Sequence, residues 1–195
     1  QRDIEVRLQY LNDAPLYDKQ KPLQITPNFL DGEKRTNVRL LPGQPEIIHD
    51  VRGRKGQYSL DEKGFQCVNA PTAFQEWSSQ PTIAKGNLPE LEELLRKEGA
   101  FCDEIIFYAA RIGHADDAGL RVDGLSYNPF ARQIHTDNTK RNVLTKIRSL
   151  TEIKAQYFLG GRARTINIWR PLRHPILDYG LAVADGGKLQ SGDVI

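Results

Sequence analysis

Through its first 85 residues the chain is broken at short intervals by Pro15, Pro22, Pro27, Gly32, Pro42, Gly43, Pro45, Gly53, Gly56, Gly64, Pro71 and Pro81. Proline removes a backbone donor and glycine weakens any regular element, so no long helix fits between these marks. Short strands joined by turns do fit. The β-flavoured runs are Asn37–Leu41, Glu46–Arg52 and Gly64–Val68, and the region 1–85 is expected to be β-rich and antiparallel.

After it the pattern changes. In NLPELEELLRKEGA, Leu88, Leu91, Leu94 and Leu95 form an apolar stripe. Glu92 and Glu93 come early, Arg96 and Lys97 late, and Gly99 ends the run. The spacing predicts a helix with Asn87 as N-cap and Pro89 in its first turn. Asp103–Arg111 reads as a buried strand and 112–128 as loop. Thr139–Leu159 carries a helical pattern stopped by Gly160-Gly161. Ala163–Trp169 alternates with strand periodicity, and Leu181–Ala184 reads as one more strand. The class that emerges is α+β, mainly β.

The bulk properties set limits on function. A chain of 195 residues with 39% hydrophobic and 27% charged residues can bury a core as one domain. Lys plus Arg at 27 against Asp plus Glu at 25 gives no electrostatic reason to expect nucleic acid or an anionic membrane as partner. No apolar run approaches the ~18 residues a membrane span needs. The first residues, QRDIEVRLQY, do not resemble a signal peptide. With no methionine at all, the sequence is expected to begin inside a reading frame or after processing. Cys67 and Cys102 lack the clustering of a zinc site, and two free thiols in a cytoplasmic protein is the expectation.

Four histidines are available for chemistry. Two stand in H-x-D tripeptides, His114-Ala115-Asp116 and His135-Thr136-Asp137. His114 lies in GHADDAG, which describes a solvated loop of poor ligand geometry. His135 follows the extended-looking PFARQI, and on an extended backbone residues i and i+2 project to one face. His135 and Asp137 would then point together, as an imidazole and a carboxylate do toward an octahedral metal. The same spacing also fits a plainer arrangement, in which Asp137 or Asn138 caps the following helix while His135 packs. His49, in EIIHD, reads as a surface histidine, and His174, between prolines in RPLRHPI, as a turn residue.

Several stretches together resemble a fungal hydroxylase/desaturase family typified by an aspergillic-acid-pathway enzyme. That family takes in the fungal gibberellin desaturase and relatives of a cephamycin-methoxylation protein. The stretches are RTN (35–37), DVRG (50–53), YSLDEKGF (58–65), APT (70–72), IHTDNT (134–139), NIWRPLRHPILD (167–178) and GLAVADGG (180–187). They run in the family's order over essentially the whole chain, and N-I-W-R-P-L is the most specific of them.

The resemblance implies a double-stranded β-helix, or jelly-roll, oxygenase core with flanking helices, spanning 1–195 with its core in 100–195. It implies Fe(II), 2-oxoglutarate and O2 as cofactors, with iron in a 2-His-1-carboxylate triad. His135 and Asp137 would be the first two metal ligands and the catalytic residues. The third, a distal histidine, is expected beyond residue 195, so the domain is expected to lack its C-terminal part. Arg170 is the candidate partner of the cosubstrate carboxylate, with its planar fork suited to bidentate pairing, and Asn167 is a second cofactor-binding candidate. Tyr127, Asn128, Gln133 and Trp169 are candidate substrate contacts.

The implied activity is hydroxylation, desaturation or ring closure of a small secondary metabolite or amino-acid precursor. The implied partner is a small-molecule substrate, with no nucleic acid and no membrane, and a homodimer is left open. A competing reading makes the chain a non-catalytic accessory protein on the same scaffold. Methyl transfer is disfavoured, because no glycine-rich strand-to-helix loop precedes an acidic residue as a nucleotide-like cofactor would need.

Overall fold

The computed structural model describes residues 2–23, 36–77, 79–99, 102–110, 112–113, 121–122, 125–128, 131, 133–172, 175–176, 180–190 and 192–193. His114 and His174 lie outside the described residues. The chain divides into two compact units. One comprises Gln1–Arg7, Pro45–Arg132 and Asp178–Asp193, and the other Leu8–Gln44, Gln133–Leu177 and Val194–Ile195.

Strands β1 (Ile4–Leu11) and β2 (Leu40–Ile48) form a two-stranded sheet. β2 runs straight through Pro42, Gly43 and Pro45, where the punctuation predicts a break. A strand in so small a sheet has a free edge, and prolines are tolerated at edges and bulges. Gly43 has a packing reason as well, since a Cβ there would lie 2.6 Å from the Tyr10 ring.

In the first unit, α1 (Leu60–Lys63) starts at Ser59, whose hydroxyl accepts from the Glu62 N–H, and ends at Gly64 with φ of 75°. It packs on the 3-10 turn Gly186–Lys188. Lys63 Nζ lies 3.1 Å from Asp185 Oδ2. A Cβ on Gly187 would meet the Glu62 carbonyl oxygen at 2.7 Å. YSLDEKGF and GLAVADGG are thus held together by glycines that let two backbones touch.

Helix α2 runs Gln80–Glu98, starting seven residues before the expected N-cap. Its cap is Ser79, whose hydroxyl accepts from the Thr82 N–H, and Pro81 occupies the first turn. Ser79-Gln80-Pro81 is therefore the start signal. Pro89 sits inside the helix and Asn87 is buried in it, beside buried Ile83 one turn earlier. Gly86 lies against the Phe74 ring, which stands edge-on to Trp77 at 4.7 Å.

Three short strands occupy the stretch expected to be loop: β3 (Ile112–Gly113), β4 (Arg121–Val122) and β5 (Leu125–Asn128). Their order is β3-β5-β4, with β3 parallel to β5 and β4 antiparallel to it. Val122 pairs with Leu125, and the Asp123-Gly124 between them in sequence is a dipeptide hairpins favour. Gly64–Val68, 103–110, 163–169 and 181–184 belong to no strand.

The second unit carries the helical pattern of 139–159 as two helices, α3 (Lys140–Arg148) and α4 (Glu152–Leu159), packed on each other. The break falls at Ser149-Leu150-Thr151, where the Ser149 hydroxyl turns back to donate to the Lys146 carbonyl. Ile147 in α3 and Ala155 in α4 are buried. Gly160 closes α4 as expected. No helix of the described residues is long and apolar enough to cross a membrane.

Candidate metal centre

The IHTDNT segment is tied to β1. Gln133 bridges Gln9 in parallel, and the Ile134 N–H donates to the Gln9 carbonyl at 2.9 Å. At its other end Thr139 caps α3, with its hydroxyl accepting from the Asn142 N–H. Asn138 Oδ1 accepts from Lys146 Nζ at 2.7 Å and from Asn142 Nδ2 at 3.1 Å. The turn is fixed on both sides, and Asp137 is not the residue that caps the helix. The plainer reading of its carboxylate therefore fails on geometry.

His135 and Asp137 meet as the two-residue period predicts. Nε2 lies 3.3 Å from Oδ1, and the two side chains are 46% and 48% exposed. His135 Nδ1 lies 3.0 Å from the Gln133 carbonyl oxygen. A carbonyl only accepts, so Nδ1 carries the proton and donates. Nε2 is the nitrogen that faces the carboxylate oxygen, where either a proton or a metal ion joins the two groups.

The other carboxylate oxygen has its own partner. Asn167 Nδ2 donates to Asp137 Oδ2. No local pattern predicts this contact, because the two residues stand thirty positions apart. The Asn167 amide thus donates to the candidate ligand carboxylate.

Ligands at about 2.1 Å in neighbouring positions of an octahedral ion place their donor atoms about 3 Å apart. The 3.3 Å pair therefore fits two adjacent positions of such an ion. A ring whose second nitrogen is bonded to a backbone carbonyl is the usual condition of a metal-bound histidine. Among the described residues no third His, Cys, Asp or Glu joins the pair.

The remaining candidates are distributed as follows. Arg170 is half-buried and Trp169 is 52% exposed. Gln133 contributes its backbone, through the bridge to Gln9 and the bond to His135. Tyr127 and Asn128 lie in β5, opposite Ile112 and Gly113, and belong to the other unit. His49 pairs with Asp3 at 2.7 Å on the surface, as its setting suggested. Cys67 and Cys102 are free thiols.

A second cluster gathers around DVRG. Asp50, its side chain only 7% exposed, accepts from Arg52 Nε and Nη2 and from the Arg2 N–H. The Arg52 guanidinium, through these bonds, holds the Asp50 carboxyl well below the usual carboxylate range. Asp3 accepts from the Asp50 N–H and pairs with His49, and these bonds lower it in turn. Arg54 Nη2 donates to the Asp50 carbonyl, and Gly53, at φ of 80°, lets the turn close. Asp3, His49, Asp50, Arg52 and Arg54 partner one another, which gives the cluster a structural role.

Among solved structures, the chain matches the iron and alpha-ketoglutarate-dependent endoperoxidase NvfI with a TM-score of 0.63 at 17% identity, covering 81% of this chain and 55% of that one. The two share a fold of α+β type. Three curated fungal proteins are similar in sequence. The Fe(II)/2-oxoglutarate-dependent dioxygenase nvfI of Aspergillus novofumigatus is 25% identical over 175 residues, 88% of this chain and 60% of its own length. Oxidoreductase AN1597 of Emericella nidulans is 26% identical, over 87% of this chain and 60% of its own. The hydroxylase/desaturase efuI of Hormonema carpetanum is 28% identical, over 77% and 53%. The chain spans roughly three fifths of the length of these relatives or less.

The chain is thus similar to a fungal Fe(II)/2-oxoglutarate-dependent dioxygenase and to a fungal hydroxylase/desaturase. The chain belongs to the family described as YDMC, Oxidoreductase/YMDC permease-like domain, whose model it matches over residues 8–195.

Proposed function

We propose that the chain is the iron-binding part of an Fe(II)- and 2-oxoglutarate-dependent oxygenase that hydroxylates, desaturates or cyclises a small secondary-metabolite substrate in the cytoplasm. The observation that carries this reading is the close approach of His135 Nε2 to Asp137 Oδ1, 3.3 Å apart. Membership of the family and similarity to a dioxygenase and a hydroxylase/desaturase support it. The complete core would be a double-stranded β-helix in one oxygenase domain.

His135 and Asp137 would hold the metal. Iron with 2-oxoglutarate and O2 would supply the oxidising power to remove hydrogen from an unactivated carbon. The chain's own task is to hold the imidazole in one tautomer, which the Gln133 carbonyl does, and to hold the carboxylate as an anion. Arg170 offers a planar donor fork for a carboxylate. Trp169, next to it in sequence, and Gln133 are proposed substrate contacts.

The test is an anaerobic titration with Fe(II) and 2-oxoglutarate, following the weak visible charge-transfer band of such complexes, on the parent and on His135→Ala. A band in the parent that His135→Ala abolishes is the expected result. No band in a folded parent would overturn the oxygenase reading and leave a non-catalytic scaffold.

A further inference from the structure

The contact between Asp137 and Asn167 is not required for burial. Both residues are exposed, and the Asp137 side chain keeps 48% of its surface. Water could satisfy each of them separately. A carboxylate accepts and cannot donate, so the amide must present its NH2 end. That end takes Oδ2 and leaves Oδ1 facing His135. The two oxygens of one carboxylate are thereby assigned to different partners.

Resting on the iron-site reading, we propose that Asn167 is a positioning residue that makes Asp137 a one-oxygen metal ligand. An amide hydrogen bond on Oδ2 satisfies the lone pair that would otherwise turn toward the ion. It also fixes the rotation of the carboxylate, so Oδ1 and Nε2 keep their cis spacing. One coordination position that a two-oxygen carboxylate would occupy is left for cosubstrate or O2. Outer partners of this kind typically support metal affinity by about 10–100-fold. The N-I-W-R-P-L block thus bears on the metal through the carboxylate, and Asn167 does not touch the cosubstrate.

The experiment uses Co(II) alone, followed by its visible absorption, and then 2-oxoglutarate added to the Co(II)-loaded protein. The proteins are the parent, Asn167→Ala and Asn167→Gln, with thermal unfolding as a fold control. We expect Asn167→Ala to weaken Co(II) binding about 10–100-fold and change the absorption envelope. Asn167→Gln, which keeps the amide donor, should recover part of both. The 2-oxoglutarate half-saturation of the loaded protein should stay within about twofold of the parent, well short of that range. Unchanged Co(II) binding with weakened 2-oxoglutarate binding would overturn the proposal in favour of a direct cosubstrate contact. Unchanged Co(II) binding with a lowered unfolding temperature would reduce the contact to a structural one. A folded parent that binds no Co(II) would instead overturn the iron-site reading beneath it.

Discussion

Nε2 of His135 and Oδ1 of Asp137 face each other across 3.3 Å, while a neighbouring threonine does the capping that the aspartate was equally suited to do. This division of labour separates two variants. Thr139→Ala should lower stability by about 1 kcal/mol, as loss of an N-cap does, and leave Co(II) affinity unchanged. Asp137→Asn should do the reverse. Its stability should stay within about 0.5 kcal/mol of the parent, and its metal affinity should fall by more than the roughly 10–100-fold of an outer partner. Urea unfolding and Co(II) titration on the same preparations check both.

The start of α2 can be tested in the same manner. Ser79→Ala removes the hydroxyl that accepts the Thr82 N–H and should cost about 1 kcal/mol. Leu88→Ala, at a half-buried position of the apolar stripe, should cost less than the roughly 2–5 kcal/mol of a fully buried leucine. A Ser79→Ala variant as stable as the parent in urea would contradict this helix start.

Gly187 is the third site. A methyl group there meets the Glu62 carbonyl oxygen at 2.7 Å and Asp185 Oδ1 at 3.3 Å. Backbone cannot swing aside as a long side chain can. Gly187→Ala should destabilise by about 1–3 kcal/mol, the usual range for overpacking. Lys63→Ala, which removes only the part-exposed ion pair to Asp185, should cost no more than about 1 kcal/mol. The order of the two unfolding midpoints is the measurement.

Acid stability should carry the imprint of Asp50. The bonds from Arg52 hold its folded carboxyl below the ordinary value of 3.8. As pH falls below that ordinary value, the unfolded chain takes up the proton first and the folded chain resists it. The contribution is therefore complete above the unfolded pKa and drains away as pH falls toward the folded one. Asp50→Asn should lower the unfolding temperature at neutral pH and flatten the acid limb below about pH 4. Equal slopes in parent and variant would refute this.

Elements whose signals lie within a few residues were legible in the sequence. His135 and Asp137, two positions apart, do meet, and Gly99 and Gly160 mark helix ends where the pattern predicts a stop. Other features turned on competition between local signals. Asn87 as N-cap with Pro89 in the first turn is the natural local reading, since an interior proline costs about 3 kcal/mol, yet Ser79 and Pro81 supply an earlier start and the helix carries Pro89 inside. Pro42, Gly43 and Pro45 read as a break, but a strand with a free edge tolerates them. The alternation in Ala163–Trp169 resembles a strand, and no strand forms there among the described residues. The partner of Asn167 had no local signal, since the contact depends on how thirty residues of chain return to their starting point.

That return has a thermodynamic consequence. Between Asp137 and Asn167 the chain goes out, builds α3 and α4, and comes back to close on a single carboxylate. A cation that locks the carboxylate also locks both ends of this excursion. Free energy gained at the ion is then shared with the helical pair, since whatever binds only the closed form raises the cost of opening it. Amide hydrogen exchange in α3 and α4 should slow when Co(II) is added. The pair of helices would act as a remote gauge of occupancy, read in the rate at which their backbone protons leave.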